Sequence, residues 1–255
     1  MTRTNLLSPG PRTAPIEAPT TGGPLVASYR DLDTGCRFLV ARPVQQPTLW
    51  RAYLAGAQQS YRKHDVESVL EYDQVVDGRS TAMFFAAVAP DGSVVGGMRV
   101  QGPYREVAQA HAIAEWGGAE GSDELEREIR TRLSAGVVEM KTGWVDDLFP
   151  GRDALTNAMA RIFVHTLTLM DVRYALGTVA RHARRRWQTT GGTVSEDVCP
   201  VAYPDARYQT VPMWWDRETF ADLSAAHQLP HIVYEAAQLS ATDAGQLETI
   251  APVAA

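Results

Sequence analysis

The chain has 255 residues, of which 45% are hydrophobic, and a formal net charge of -6 at pH 7. A chain of this size can bury a substantial core, and its mild acidity argues against a general nucleic-acid-binding protein, which needs a basic face to neutralise phosphates. Cys36 and Cys199 are far apart and have no metal-ligand spacing, so we predict no metal, free thiols in a reducing compartment and a cytoplasmic protein. No run approaches the roughly 20 apolar residues of a membrane span, so we predict no stable membrane insertion.

Both ends of the chain are poor in bulky apolar residues. Residues 1–24 are rich in Pro, Thr and Gly, and the closing segment LSATDAGQLETIAPVAA is small and polar. Such segments bury too little apolar surface to offset the entropy of ordering them. We therefore predict flexible tails at 1–24 and 238–255 around a single domain that spans 25–237.

The first half of this domain predicts a strand, a helix and a β-hairpin. The apolar run RFLVARP at 37–43 is typical of a strand, and the segment 48–66 has apolar residues at helical spacing. These residues are Leu49, Tyr53, Leu54 and Ala57. Two apolar runs within 81–103 flank Asp91-Gly92, a dipeptide that favours a hairpin turn.

The second half alternates strands with helices. In chain order we predict helices near 106–115 and 122–134, a strand at 136–145, a helix at 154–170, a strand at 172–180, a helix at 181–192, two strands around a turn at 203–208, and one or two helices within 217–237. The strand–helix–strand–helix centre implies two parallel strands, and the flanking hairpins imply a mixed sheet. The predicted fold class is α/β, with a central mixed sheet flanked by helices.

One turn between a strand and a helix has the composition of a phosphate site. Residues 139–159 run from a predicted strand into a predicted helix through Gly151-Arg152. Backbone N–H groups at a helix N-terminus favour an anion, and an arginine beside them adds charge. Asp153 alternatively serves as the helix N-cap, and its carboxylate would repel a bound phosphate.

This order of elements resembles the GNAT acyltransferase superfamily over about residues 48–217. Within it, the segments YRKHDVESVLEYDQVVD (61–77), DGSVVGGMRV (91–100) and VVEMKTGWV (137–145) are similar to the branch that contains acyl-homoserine-lactone synthases and long-chain N-acyl amino acid synthases. Lys141 and Thr142 stand where that branch carries Ser-Arg. This departure argues against homoserine-lactone synthesis.

The resemblance implies a thioester donor, either an acyl-CoA or an acyl group on a phosphopantetheine arm, with no metal. Its phosphate turn would use Gly151 and Arg152, although Leu148 and Asp153 do not fit the superfamily pattern. Trp144 and Val145 would offer backbone groups to pantetheine. Arg181 and Arg185, on one predicted helix face, would bind the nucleotide of CoA or an acyl carrier protein. Trp144 is equally explained as a core residue, and the arginines as a solvated surface.

The resemblance also implies candidates for catalysis and acceptor binding. Glu139 would be the base, and Tyr203 or Tyr208 would protonate the leaving thiolate. The residues implied in binding the acceptor amine are Arg62, Asp73, Asp77 and Arg99. In the segment PMWWD at 212–216, strand alternation predicts that Trp214 and Trp215 face opposite sides. One of them would be a core residue, and Trp215 is the candidate to line the acceptor pocket. Structural alternatives are a strand carboxylate paired with Arg99 for Glu139, and aromatic packing of the turn for the tyrosines.

The predicted function is N-acyl transfer from an acyl-CoA or carrier-protein thioester to a small-molecule amine in a ternary complex. Two alternatives stay open: an acetyl-CoA-dependent N-acetyltransferase, and a non-catalytic binding protein with a GNAT-like fold. The altered phosphate turn supports the last of these.

Overall fold

The structure is a computed structural model that describes residues 24–248. Its strands are β1 Ala27–Arg30, β2 Arg37–Ala41, β3 Met83–Val88, β4 Val94–Gln101, β5 Val137–Val145, β6 Tyr174–Ala180, β7 Thr193–Val194, β8 Val201–Ala202 and β9 Gln209–Asp216. Its α-helices are α1 Pro47–Lys63, α2 Tyr72–Val75, α3 His111–Trp116, α4 Ser122–Arg132, α5 Arg152–Leu169, α6 Arg184–Gln188, α7 Phe220–Leu223 and α8 Leu229–Glu248. The predicted tail at 1–24 lies almost entirely outside the described residues.

The nine strands form one mixed sheet, which confirms the predicted fold class. Their order is β1-β2-β3-β4-β5-β6-β9-β7, and β8 also pairs with β9. The pair β5–β6 is parallel and the others are antiparallel. A parallel pair needs a crossover connection, which α5 supplies.

Helices cover both faces of the sheet, and alternation along the strands gives each face its own apolar layer. On one face Phe38, Phe85, Met140 and Met213 pack with α5 and α8. On the other face Leu39 and neighbouring strand residues pack with α1, and a second group packs with α3 and α4. Successive residues of a strand face opposite layers, so the predicted site residues that lie on strands divide between the two faces of the sheet.

The structure departs from the predicted elements near the ends. Strand β1 was not predicted, and it pairs with β2 over Ala27–Arg30. Helix α6 covers Arg184–Gln188 rather than 181–192, so Arg181 precedes the helix and cannot share one of its faces with Arg185. Helix α8 runs to Glu248, well into the segment predicted as a tail from residue 238. Its buried residues Ile232 and Leu239 explain why it docks on the sheet.

A cluster of buried charges, which we call the α8 cluster, ties α8 to α5 and to the turn after β1. The Arg161 guanidinium donates to both oxygens of Glu235 at 2.9–3.0 Å, to Gln228 at 2.8 Å and to Asp31 at 2.6 Å. His165 Nε2 lies 2.7 Å from Glu235. Paired and hydrogen-bonded in this way, the charges are compensated despite their burial.

Strands β5 and β6 separate halfway along their length. Their pairing covers Val137–Met140 against Tyr174–Gly177 and stops there. On its other edge β5 has an irregularity opposite Gly97–Arg99, and Thr142 adopts a left-handed φ of 53°. Such a bulge bends a strand and increases its twist. The bent half of β5 therefore leaves an opening in the middle of the sheet.

Among the described residues, no helix combines the length and apolar character that crossing a membrane requires. Cys36 and Cys199 are free, as predicted.

Candidate active site

A cleft of about 480 Å³ lies at the opening between β5 and β6. Its central walls are the outer half of β5, from Met140 to Val145, and the end of β6, from Gly177 to Ala180. Side chains from both faces of the sheet line the cleft. We call the two sides the α5 end and the polar end.

The α5 end is largely apolar. It is lined by Met98, Met159, Phe163, Val179, Ala183 and Trp187, with Arg152 and Thr156 at the start of α5. Such a lining suits an alkyl chain or a pantetheine arm, because ligand pockets are lined mainly by apolar side chains that contact the apolar parts of the ligand.

Trp144 forms a rigid wall of this cleft. Its ring is 6% exposed and packs against α1, where a Cβ added to Gly56 would lie 2.1 Å from the ring. The neighbouring Tyr53 hydroxyl donates to the Thr142 carbonyl at 2.7 Å and so anchors the bulge. The structure thus places the Trp144 side chain in the core, and Val145 is partly buried beside it.

At the polar end, four ionisable side chains form what we call the cleft cluster: Glu71, His111, Glu115 and Lys141. The Lys141 Nζ donates to Glu115 Oε1 and lies 2.9 Å from His111 Nδ1. His111 Nδ1 is also 3.0 Å from Glu115 Oε1, and its Nε2 is 3.0 Å from Glu71 Oε2. Helix α3 brings two of the four together because His111 and Glu115 are one turn apart.

The charges of this cluster hold Glu115 ionised although it is buried. Burial is the largest influence and would raise the pKa of Glu115, but Lys141, His111 and the neighbouring Thr178 hydroxyl together outweigh it and lower that pKa below its usual value. His111, Glu115 and Glu139 also offer three ligand atoms within 4.8 Å of one another, a grouping that metals use. The Lys141 ammonium already lies among these carboxylates, so the buried negative charge has a cation without an added ion.

Two tyrosines extend the polar end. Burial raises the pKa of Tyr61 to about 12, with Arg99 acting against it. Burial also raises the pKa of Tyr203, and the nearby carboxylates Glu115 and Glu71 add to the effect. Both phenols therefore stay protonated at neutral pH. Tyr208 lines the same cleft and is half-buried, so the structure brings both predicted tyrosines to it.

Glu139 does not face the cleft as a base would. It is fully buried, and its carboxylate accepts hydrogen bonds from Tyr104 at 2.9 Å and from the backbone N–H groups of His111 and Ala112 at 2.8 and 3.1 Å. These bonds engage both oxygens at the N-terminus of α3. The geometry therefore corrects the predicted role: Glu139 fixes the position of α3, which carries His111 and Glu115.

The predicted phosphate turn lies at the mouth of the α5 end. Gly151 is the N-cap of α5, which shows that Asp153 is not the cap. Arg152 lines the cleft and contacts Asp147 at 3.1 Å, and Lys63 donates to the same carboxylate at 2.6 Å. The hydrogen bond from Lys63 lowers the pKa of Asp147, and Arg152 and His64 add to this. Asp153 is paired with Arg186 at 3.4 Å.

A basic surface adjoins the cleft beyond the end of β6. Arg181, His182, Arg184, Arg185 and Arg207 surround a shallow depression there, and we call this the basic patch. The predicted pair Arg181 and Arg185 is thus brought together, although not by one helix. His182 lines both the patch and the cleft, so the two are continuous.

Several predicted acceptor-binding residues lie away from the cleft. Arg62 is on the surface, where it pairs with Glu67 at 2.6 Å. Asp73 is exposed, because α2 buries Val75 and turns Asp73 to solvent, and Asp77, which follows α2, is exposed as well. These placements correct the prediction for all three residues.

The structure places the last two predicted acceptor-binding residues inside the protein. Trp215 is fully buried and stacks on Phe163 at 3.7 Å. Arg99 is 2% exposed beneath the bulge, where its Nε donates to Thr142 Oγ1 at 3.0 Å. Neither lines the cleft, so Trp215 is a core residue and Arg99 supports the bend in β5.

The cleft cluster itself was not predicted from the sequence. His111 was assigned no role, Glu115 was not singled out, and Lys141 was noted merely as a departure from the synthase pattern. The available signal was His111 and Glu115 at i and i+4 on one short helix. Their convergence on Lys141 depends on the register of β5, which spacing alone does not give.

Sequence comparison finds close relatives without an assigned activity. No family model matches the chain. The uncharacterized protein Rv1356c of Mycobacterium tuberculosis is 42% identical over 207 residues, which cover 81% of this chain and 79% of that protein. The uncharacterized protein Mb1391c of Mycobacterium bovis matches equally well.

Structure comparison finds the same fold in acyl synthases. FeeM, an N-acyl amino acid synthase from uncultured soil microbes, matches with a TM-score of 0.56 and 10% identity, covering 76% of this chain and 97% of FeeM. The AHL synthase LasI matches with a TM-score of 0.50 and 15% identity, covering 76% of this chain and 94% of LasI. The chain therefore belongs to one family with these mycobacterial proteins, and its fold is the GNAT-like acyltransferase fold.

Proposed function

We propose that this protein is an N-acyltransferase that moves an acyl group from a thioester donor to the amine of a small molecule. The observation that carries the proposal is the cleft between β5 and β6, which reaches both faces of the sheet and is apolar at one end and polar at the other. Two reactants that enter from opposite faces would meet beside the bulge in β5. This arrangement supports direct transfer in a ternary complex.

The α5 end suits the donor. Its apolar lining from Met159, Phe163 and Trp187 has room for a pantetheine arm or an acyl chain. Arg152 and the basic patch provide cations at the mouth, where the phosphates of CoA or of a carrier protein's phosphopantetheine would lie. The turn at Gly151 departs from the superfamily's pyrophosphate pattern at Leu148 and Asp153, which favours a long-chain or carrier-bound donor over acetyl-CoA.

The polar end suits the acceptor and the proton transfers. In the reaction the amine nitrogen forms a bond to the thioester carbonyl carbon, the C–S bond breaks, and the amine loses one proton while the thiolate gains one. Tyr203 lines the cleft and is our candidate for the proton donor to the thiolate, with Tyr208 as the second candidate. The names of FeeM and LasI, synthases that share this fold, agree with acyl transfer.

The test is thiol release from purified protein. Acetyl-CoA, decanoyl-CoA and decanoyl acyl carrier protein would each be mixed with a panel of the common amino acids and simple di- and polyamines, and free thiol would be followed with a chromogenic disulfide. We expect amine-dependent release, fastest with a decanoyl donor, and an N-decanoyl product of matching mass. Release with acetyl-CoA alone would favour an N-acetyltransferase.

Donor binding is a separate measurement. A ligand that binds the native state raises the melting temperature, so decanoyl-CoA should raise it more than CoA does. A flat response to every thioester, with no thiol release, would contradict the proposal and favour a non-catalytic binding protein.

A further inference from the structure

The two carboxylate oxygens of Glu115 have different surroundings. Oε1 accepts from Lys141 and lies 3.0 Å from His111 Nδ1. Oε2 is buried and has no hydrogen-bond partner among the described residues. The side chain is 1% exposed and yet lines the cleft at its polar end. A buried, ionised oxygen without a donor is costly, and a ligand N–H in the cleft would satisfy it.

A continuous path leads from the other oxygen of this carboxylate toward solvent. Glu115 Oε1 contacts the imidazole at Nδ1, and the opposite nitrogen, Nε2, is 3.0 Å from Glu71 Oε2. The Glu71 side chain is 33% exposed, in contrast to the 1% of Glu115. A proton received at the cleft could therefore move outward through neighbouring heteroatoms at hydrogen-bond distances.

We infer that Glu115 is the residue that receives the acceptor amine, and that His111 and Glu71 carry the amine's proton away from it to solvent. The inference rests on the proposed function and names the acceptor as a primary or secondary amine that arrives at the polar end. Glu115 would contact the substrate, whereas His111 and Glu71 would act through it.

The step balances in atoms and charge. The amine N–H donates to Glu115 Oε2 as the nitrogen attacks the thioester carbonyl, and the N–C bond forms. When the C–S bond breaks, the thiolate takes a proton from Tyr203. The Glu115 carboxyl group then turns so that the proton gained at Oε2 faces His111 Nδ1. The proton passes through His111 and Glu71 to water, and water restores the proton of Tyr203.

The alternative is that the cleft cluster merely supports the fold. A structural cluster explains the contacts of Lys141, but it leaves the free oxygen of Glu115 and its position in the cleft wall unexplained. Several ionisable groups would shape any pH dependence. The His111 ring faces Glu71 before α2, Glu115 on α3 and Lys141 on β5. Around this cluster lie Glu139 on β5, Tyr104 before α3, Tyr61 on α1, Tyr203 after β8 and Arg99 on β4.

The first experiment compares Glu115→Gln with the wild type, using decanoyl-CoA and the amine from the panel above that gives the fastest thiol release. We expect kcat/KM for the amine to fall by at least about 100-fold, as for loss of a general base, with the affinity for decanoyl-CoA unchanged. Glu128→Gln is the matched control. Glu128 is a partly buried helical carboxylate that binds Trp214 and Ser195 and does not line the cleft; its loss should not change turnover.

The double variant Glu115→Gln/Lys141→Met covers the case in which Glu115→Gln misfolds. It removes both charges of the pair, so no buried charge is left without its partner. It should bind decanoyl-CoA and remain inactive. His111→Asn provides a second readout that a structural role would not change: kcat for the amine should fall by about 10-fold or more, while the melting temperature and the affinity for decanoyl-CoA keep their wild-type values.

The outcomes separate the two proposals. Wild-type turnover by Glu115→Gln, or by His111→Asn, would overturn this inference and leave the acyltransferase proposal intact. No thiol release by the wild-type protein, with any donor or amine of the panel, would overturn both.

Discussion

The α8 cluster and the cleft cluster are built from the same kinds of side chain, yet they differ in completeness. In the α8 cluster both oxygens of Asp31 and of Glu235 have donors, from Arg161, His165 and Thr34. In the cleft cluster Glu115 keeps one oxygen without a partner at the wall of a cavity. A group of buried ionisable residues therefore does not identify a functional site by itself. A buried polar atom that has no hydrogen-bond partner and lies at the wall of a cleft is the better indication.

The largest effect should come from breaking the complete cluster. Arg161→Met leaves Asp31 and Glu235 buried without their cation, and loss of one partner of such a network costs about 3–5 kcal/mol of the free energy of unfolding. Urea unfolding measures this cost. Arg79→Met, at a side chain that is 90% exposed, is the control. A loss below about 1 kcal/mol would show that the α8 cluster is not the strong structural element described above.

The cleft depends on the wall that the Trp144 ring forms. Gly56→Ala places a methyl group against the Trp144 ring, and we expect a loss of about 1–3 kcal/mol of stability from overpacking together with weaker binding of decanoyl-CoA. Calorimetry of unfolding and of donor binding measures the two effects. Adding Trp144→Phe removes the ring atoms that clash and should recover most of the stability. No change in donor affinity would argue against a donor in this cleft.

Acid should weaken the α8 cluster in a defined direction. Burial would raise the pKa of Glu235, but hydrogen bonds from His165 and Arg161 outweigh it and lower that pKa from 4.5. A carboxyl whose pKa is lower in the folded state stabilises above its unfolded pKa, and this stabilisation is lost as the pH falls through the folded value. Each unit of difference is worth about 1.4 kcal/mol.

The pH dependence can be assigned with one variant. Unfolding free energies measured from pH 6 down to about pH 3 should fall less steeply for Glu235→Gln than for the wild type. Glu196→Gln, at an exposed carboxylate, should keep the wild-type slope. Equal slopes for wild type and Glu235→Gln would contradict the lowered pKa.

The smallest effect should come from charges outside both clusters. Replacing Arg181 and Arg185 with glutamate should weaken binding of decanoyl acyl carrier protein by about fivefold, or about 1 kcal/mol, at low salt and less at high salt. The stability should not change, since Arg181 and Arg185 are exposed. Surface plasmon resonance at two salt concentrations measures this, with Arg79→Glu as the control. Salt-independent binding would mean that the basic patch does not contact the carrier protein.

The sequence predicted the fold better than the site. The hairpin around Asp91-Gly92 and the strand–helix–strand segment from β5 to β6 follow from apolar periodicity and turn chemistry, and the structure confirms both. Periodicity does not show which polar residues, distant in the sequence, come together at one site. Glu139 and Lys141 have the same parity on β5, yet the N-terminus of α3 takes both oxygens of Glu139 and leaves Lys141 at the cleft.

The aromatic residues show the same limit. Trp214 and Trp215 alternate on β9, as predicted, but helices cover both faces, so both are buried and neither lines the cleft. Tyr203 and Tyr208, which the resemblance implied as candidates, flank one turn, and that turn does reach the cleft. Residues tied to a local turn could be placed from sequence, whereas residues that depend on long-range packing could not.

The most direct test of the account is a crystal structure with a stable thioether analogue of decanoyl-CoA. The account predicts the sulfur between β5 and β6 beside Gly143 and Trp144, the acyl chain or pantetheine arm against Met159 and Phe163, and Glu115 facing the empty acceptor side. An analogue bound elsewhere, with the cleft between the two strands unchanged, would contradict the account.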